Sequence, residues 1–209
     1  MCSVSMLIEY FKAQRLLDQY GIKSIKSTYV NSAEEAITFS EKEPIILKAI
    51  SDKAIHKSKA GLVKLNLNGQ EEIAAAYKSL QRAASKFAPY KILAQKMSAN
   101  GIEIILGGSV DAQFGKTVLI GLGGIYVETF KDVAMRLCPI TRYDAKEMLY
   151  QLKSASVITY DGAATNMLVD LLIKFSKMFY ERAELKEVDL NPIIVRRNSY
   201  DAVDLRLMI

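Results

Sequence analysis

The chain has 209 residues, 50% hydrophobic and 24% charged, a globular composition long enough for one large or two small cores. Its formal charge of +5 comes from lysines interleaved with glutamates rather than from a basic stripe, which argues against a nucleic-acid binder and leaves a mild preference for anions. There is no apolar run long enough for a membrane helix, and MCSVSMLIEYFK turns polar too soon for a signal peptide. Cys2 and Cys138 lack metal-like spacing, so the expectation is a cytoplasmic protein without membrane contact or disulfides.

In chain order, residues 5–20 place Leu7, Tyr10, Phe11, Leu17 and Tyr20 on one helical face, with Gly21 as the stop. A short strand over 24–30 follows, then a capping box of Ser32 and Glu35 opens a helix to about Lys42. Pro44 restarts the chain as a strand, and Pro44–Leu67 reads as a hairpin whose polar loop holds His56, the single histidine. Residues 70–86 are alanine-rich, with apolar positions at 73, 76, 77 and 80, and predict a helix. From Tyr90 the texture changes to strands, YKILAQKM, GIEIILGGSVD and KTVLIGL, separated by glycine-containing turns. Beyond Pro139 the pattern predicts a helix over 143–153, a polar stretch over 154–162, and a long helix over 163–180 that buries Met167, Leu168, Leu171, Leu172 and Phe175. ELKEVDLNPIIV and DAVDLRLMI then read as short strands around a turn at 197–200.

Three constellations carry chemistry. Lys48 ends an apolar strand, and Lys57, Ser58, Lys59 and Gly61 share the loop with His56; ammonium groups, a hydroxyl and free backbone N–H groups together suit a phosphate. A lone loop histidine is by default an ordinary surface residue. Asp189 and Asn191, two apart on a strand, project to one face, and a tight turn brings Asp204 onto the next strand. Those oxygens suit Mg²⁺ when phosphates complete its shell, or they cap turns before Pro192. The Gly121–Gly124 turn fits either backbone approach to phosphate or plain turn chemistry, while Glu103 and Glu128 are isolated acids in strand patterns, solvent-facing by default.

Together, PIILKAISDKAIHKSKAGLV (44–63), GIEIILGGSVDAQFGKTVLIGLGGIYVETFKDVAMRLCPIT (101–141), VDLNPIIV (188–195) and AVDLRL (202–207) make the chain resemble an ATP-grasp domain. In particular it resembles the β subunit of the ADP-forming acetate–CoA ligases, relatives of succinyl-CoA synthetase. The resemblance implies an α+β ATP-grasp fold over 1–209. Its first subdomain would span about 22–90 and its second about 91–209, with the helix over 5–20 added and a nucleotide cleft between them. It implies that Lys48 contacts the nucleotide phosphates, that residues 56–61 cover them, and that Ala94–Met97, including Gln95 and Lys96, form the adenine-reading hinge. Glu103 becomes the acid of the nucleotide site, Asn191 and Asp204 the Mg²⁺ ligands, and His56 a phosphoryl carrier between ATP/ADP and the substrate.

The implied reaction is acyl-CoA + ADP + phosphate ⇌ carboxylate + CoA + ATP. A separate α subunit would hold CoA in an α2β2 hetero-oligomer, because no CoA-binding domain is evident in the chain. A succinyl-CoA ligase β-type subunit, a non-catalytic nucleotide-binding regulatory subunit and a stand-alone carboxylate–amine ligase are the rival readings. Two departures from the family pattern stand out. Gly61–Leu62 replaces a Gly–Gly pair, and SASVITYDGAATN (154–166) replaces a turn that carries an arginine.

Overall fold

The computed structural model describes residues 6–51, 53, 61–124, 132–159 and 161–209. The chain forms two compact units, one of Ile25–Ser98 and one of Met1–Ser24 with Ala99–Ile209. Elements are α1 (Tyr10–Gln19), β1 (Ser27–Val30), α2 (Ala33–Ser40), β2 (Ile45–Ile50), β3 (Val63–Leu67), α3 (Gln70–Ala84) and β4 (Lys91–Lys96). They continue as β5 (Ile102–Asp111), β6 (Gly115–Leu122), β7 (Val133–Leu137), α4 (Arg142–Gln151), α5 (Ala155–Ile158) and α6 (Gly162–Glu181). The end is β8 (Glu187–Arg196), β9 (Ser199–Ala202) and β10 (Leu205–Met208).

In the unit of residues 25–98 the four-stranded antiparallel sheet has the order β1-β4-β2-β3. Ser32 caps α2 by accepting from the Glu35 N–H at 3.2 Å, and Glu35 in turn accepts from the Asn31 N–H at 2.8 Å. The expected apolar positions of α3, Ile73, Ala76, Tyr77 and Leu80, are all buried. They share a core with Ile45, Leu47, Ala49, Ile92 and Ala94, so one face of the sheet is covered by helix. Strand β4 was expected in the following sheet; it lies instead between β1 and β2. Its buried run Ile92–Leu93–Ala94–Gln95 is the mark of a central strand with both faces covered, and two neighbouring ladders satisfy its backbone. The unit accordingly ends at Ser98 rather than near Pro89.

The other unit is built on a six-stranded antiparallel sheet, β10-β8-β5-β6-β7, with β9 also paired to β8. Leu168, Leu171, Leu172 and Phe175 of α6 are buried as the periodicity requires, together with Phe179, while Met167 is half-buried. Ring atoms of Phe179 approach so near Gly108 that a Cβ there would meet them at 3.0 Å. That contact fixes how closely α6 lies on β5. Helix α1 is shorter than expected: Leu7 forms a bridge to Met208 instead of a helical turn, and Gly21 ends the helix with φ +67°. A capping box of Thr141 and Asp144 opens α4, and the polar stretch before α6 contains the single turn α5. Among the described residues no helix is long and apolar enough to cross a membrane.

Asp132, buried at the start of β7, accepts from the backbone N–H groups of Lys153 and Ser154, each at 2.7 Å, and so ties the sheet to the α4–α5 connection. Burial works against its charge, but the hydrogen bonds from Ser154 and Lys153 outweigh it and hold the carboxyl below its ordinary 3.8. A lowered folded-state pKa gives stability that is fully present above the unfolded-state value and is lost as pH falls through the folded-state one. Asp132→Ala should therefore destabilise the protein by about 2 kcal/mol at neutral pH, since two buried donors lose their acceptor. In denaturant titrations the difference from wild type should shrink below about pH 4; a difference that stays constant down to the acid transition would count against this assignment.

Candidate functional site

In the unit of residues 25–98, strand alternation sorts the candidate residues onto two faces. Ile45, Leu47 and Ala49 point into the helical core, so Lys48 lies on the opposite face of β2, where it is only 6% exposed. Gln95, paired in register with Ile46, shares that face and is 0% exposed. Its amide donates from Nε2 to the Ser27 Oγ at 3.1 Å, and Ser27 donates to the Ile25 carbonyl at 3.0 Å. A buried lysine beside a buried amide on a rigid strand pair is an arrangement suited to an anionic, hydrogen-bonding ligand.

Lys96, one residue on, projects the other way. Its ammonium donates to the Ser40 carbonyl at 2.8 Å and pairs with Glu41 at 2.9 Å and Glu43 at 3.0 Å. Burial lowers the pKa of this lysine, but its bonds to the Glu41 and Glu43 carboxylates more than offset that and hold it above its ordinary value. The structure thus separates Lys96 from Lys48 and Gln95: its side chain fastens the end of β4 to the α2–β2 turn. Met97 follows immediately, exposed, in the two residues that close the unit. Gly61 adopts φ +69° with open space around its Cα, a conformation that glycine alone adopts without strain. His56, Lys57, Ser58 and Lys59 lie outside the described residues, as does Glu128.

In the other unit, Glu103 is exposed on β5. Its carbonyl accepts from the Gly123 N–H at 2.6 Å, and a Cβ on Gly123 would crowd the Glu103 backbone at 3.0 Å. A Cβ on Gly121 would meet the Asp132 carbonyl at 2.7 Å. The glycine cluster therefore serves close backbone approach to Glu103 and to the β7 entry. The sequence showed the glycines; their link to Glu103 was the part it did not show.

Asn191 and Asp204 are brought together, with one correction. Asp204 does not lie on a strand but in the two-residue break between β9 and β10, directly across from Asn191. The Asn191 N–H donates to the Asp204 carbonyl at 3.2 Å and the Val203 N–H to the Pro192 carbonyl at 3.0 Å. The break arises because Pro192 has no N–H to give the ladder, so β8 changes partner there from β10 to β9. Asp189 pairs across the ladder with Arg206. Burial first, then the carboxylates of Asp204 and Glu187, push the Asp189 carboxyl above its ordinary range, and Arg206 offsets part of this. The i, i+2 spacing had already set Asp189 beside Asn191; Glu187 and Arg206, which reach it through burial and strand pairing, were not singled out in the sequence.

The donor set of Asp204, Asn191 and the adjoining Asp189 fits a hard divalent cation: oxygen donors, and like charges that repel until a cation joins them. Among the described residues no cluster of three or more His, Cys, Asp or Glu could hold a metal by itself. A sparse protein shell of this kind suits Mg²⁺ completed by phosphate oxygens.

The pattern of the ATP-grasp domain matches residues 4–209. The chain is 35% identical to the acetate–CoA ligase [ADP-forming] I subunit beta of Pyrococcus furiosus, over 95% of this chain and 90% of that one. It is 34% identical to the acetate–CoA ligase [ADP-forming] I of Archaeoglobus fulgidus, over 93% of this chain but 30% of that longer one. A solved acetyl-coenzyme A synthetase 1 of Ca. Korarchaeum cryptofilum superposes with a TM-score of 0.83 and 32% identity, covering 97% of this chain and 92% of the other. That structure was determined with coenzyme A and Mg-AMPPCP, and its phosphohistidine segment points towards the nucleotide binding site. The chain therefore has the ATP-grasp fold and belongs, within the ATP-grasp family, with the β subunits of the ADP-forming acetate–CoA ligases.

Proposed function

We propose that this chain is the nucleotide-binding β subunit of an ADP-forming acyl-CoA ligase, acting in the cytoplasm on acyl-CoA + ADP + phosphate ⇌ carboxylate + CoA + ATP. The observation that carries the reading is the near end-to-end match to a ligase β subunit together with the Asn191–Asp204 pairing. A separate α subunit would bring the CoA site, with two copies of each chain in the assembly.

The residues divide the work by their chemistry. Lys48 meets the nucleotide phosphates as a charge on a rigid strand, and Lys57, Ser58, Lys59 and Gly61 add donors from the following loop. Gln95, Lys96 and Met97 receive the base, with the Lys96 ion pairs fixing the strand end from which Met97 departs. Glu103 lies beside the nucleotide. Asp204 and Asn191 would hold Mg²⁺, which when bound supplies charge neutralisation for the phosphate oxygens. In the direction of ATP use, a ring nitrogen of neutral His56 attacks the γ-phosphorus, the bond to the β-phosphate bridging oxygen breaks, ADP leaves, and the imidazole proton passes to solvent. The reverse sequence makes ATP.

The decisive test incubates the purified chain with γ-labelled ATP and Mg²⁺, with and without the α subunit, in wild type and His56→Ala. Acid-labile, base-stable label on this chain that disappears in the variant is the expected result. ATP binding without label, even with the partner present, would leave a regulatory nucleotide-binding subunit. Lys48→Met should raise the dissociation constant for ADP about tenfold or more, since a charge-assisted phosphate contact is lost; an unaltered constant by calorimetry would remove Lys48 from the site. Asp204→Ala should make nucleotide binding insensitive to Mg²⁺ concentration, and retained Mg²⁺ dependence would move the metal elsewhere.

A further inference from the structure

At its β7 end the six-stranded sheet carries an apolar stripe on the same face as Asp189. Residues directly opposite one another across the ladders form an unbroken row, Arg206–Asp189–Gly107–Leu119–Met135, whose side chains share one face. The neighbouring row, Glu187–Ser109–Thr117–Leu137, runs beside it. At the β7 end these rows finish in apolar side chains left in solvent: Met135 is 50% exposed, Leu137 52%, and Phe114, on the β5–β6 turn, 67%. Val133, two residues before Met135 on the same face, extends the stripe. A groove of about 520 Å³ runs among Val110, Phe114, Met135 and Leu137, with Asp111 and Arg136 also on its wall. β7 alternates exposed and covered residues, with Ala134 buried toward α4, so the stripe is not the edge of a core that failed to close.

Resting on the proposed function, we propose that this stripe docks the CoA-binding α subunit. In the Archaeoglobus fulgidus ligase the matching segment makes up 30% of one chain, so the remainder is tethered covalently. The Pyrococcus furiosus relative, matched over 90% of its length, is by contrast a subunit beta, which meets its partner subunit through its surface. Such an interface needs an apolar centre, which is what a lone soluble domain normally avoids exposing. Position supplies the second argument. Met135 lies three strands from Asp189 along one row, about 14 Å at about 4.8 Å per strand. A partner seated on the stripe stands over the sheet face that bears the metal ligands' neighbour, within reach for delivering a phosphoryl group. A second copy of this chain would cover the same apolar area but bring no CoA chemistry to that face.

The test measures, by sedimentation velocity, the association of this chain with the α subunit that supports ATP formation from acetyl-CoA, ADP and phosphate. Met135→Glu combined with Leu137→Glu should weaken association about 30-fold or more, because two charges would be buried in an apolar contact. ADP affinity of the isolated chain should stay within about twofold, and Tyr143→Glu, on the exposed side of α4, should leave association unchanged. If the Glu pair lowers the melting temperature, Met135→Ser with Leu137→Ser repeats the comparison. Unchanged association with the α subunit in either double variant overturns the proposal. Loss of self-association with α binding intact does so as well, and gives the stripe to a second copy. Failure of the wild-type chain to form an active ligase with any α subunit is read separately, since it refutes the functional reading and not the stripe.

Discussion

The arrangement of the larger unit depends on one backbone fact, the missing N–H of Pro192. On the edge away from β5, a ten-residue strand such as β8 would otherwise pair with a single neighbour along its length. With no donor at position 192 the ladder cannot continue, and the returning chain pairs with β8 in two pieces, β9 and β10. The backbone bonds from Val203 to Pro192 and from Asn191 to Asp204 close the gap. Polar side chains at a ladder break are free of the in–out alternation that strands impose, so Asn191 and Asp204 can face a common point. Asp189, still on the ladder, is left partly buried beside them, and burial first, then the Asp204 and Glu187 carboxylates, push its carboxyl above the ordinary range.

In the smaller unit the governing constraint is alternation along a covered strand. β4 is buried on both faces, so its polar residues must go to specific partners. Gln95 finds Ser27 on the face it shares with Lys48; Lys96 finds Glu41, Glu43 and the Ser40 carbonyl on the other. The left-handed residues Glu41 and Lys42 make this possible, since the turn they form ends α2 and carries both carboxylates toward the β4 terminus. The consequence is a division between a lysine buried on the face opposite the helical core, Lys48, and a lysine that fixes backbone, Lys96, which composition and spacing cannot express.

Much of this was legible in the sequence where periodicity was strong. The faces of α3 and α6 came from apolar spacing alone, and Asp189–Asn191 from an i, i+2 pattern. Strand β4 was assigned to the wrong sheet because a continuous apolar run states that a strand is central without naming its neighbours, and the neighbours here are β1 and β2, both distant in sequence. Asp204 was placed on a strand because the break opposite Pro192 is a long-range consequence of pairing, not of local propensity. Glu103 read as an isolated acid for the same reason: its partner, Gly123, is twenty residues away along the chain and contacts it only through a hairpin.

That last contact explains why the glycines at the end of β6 are where they are. The Gly123 N–H reaches the Glu103 carbonyl at 2.6 Å, and side chains at positions 121 and 123 would collide with the backbone of Asp132 and Glu103. Asp132 is in turn anchored by the N–H groups of Lys153 and Ser154. A rigid path of backbone contacts therefore runs from the α4–α5 connection through the β7 entry to β6 and Glu103. Glu103 is held in place from behind by main-chain bonds, which leaves its carboxylate uncommitted to packing and open to solvent. In the role proposed for Glu103 beside the nucleotide, an acid positioned in this way would keep its geometry, because nothing that fixes it has to be displaced.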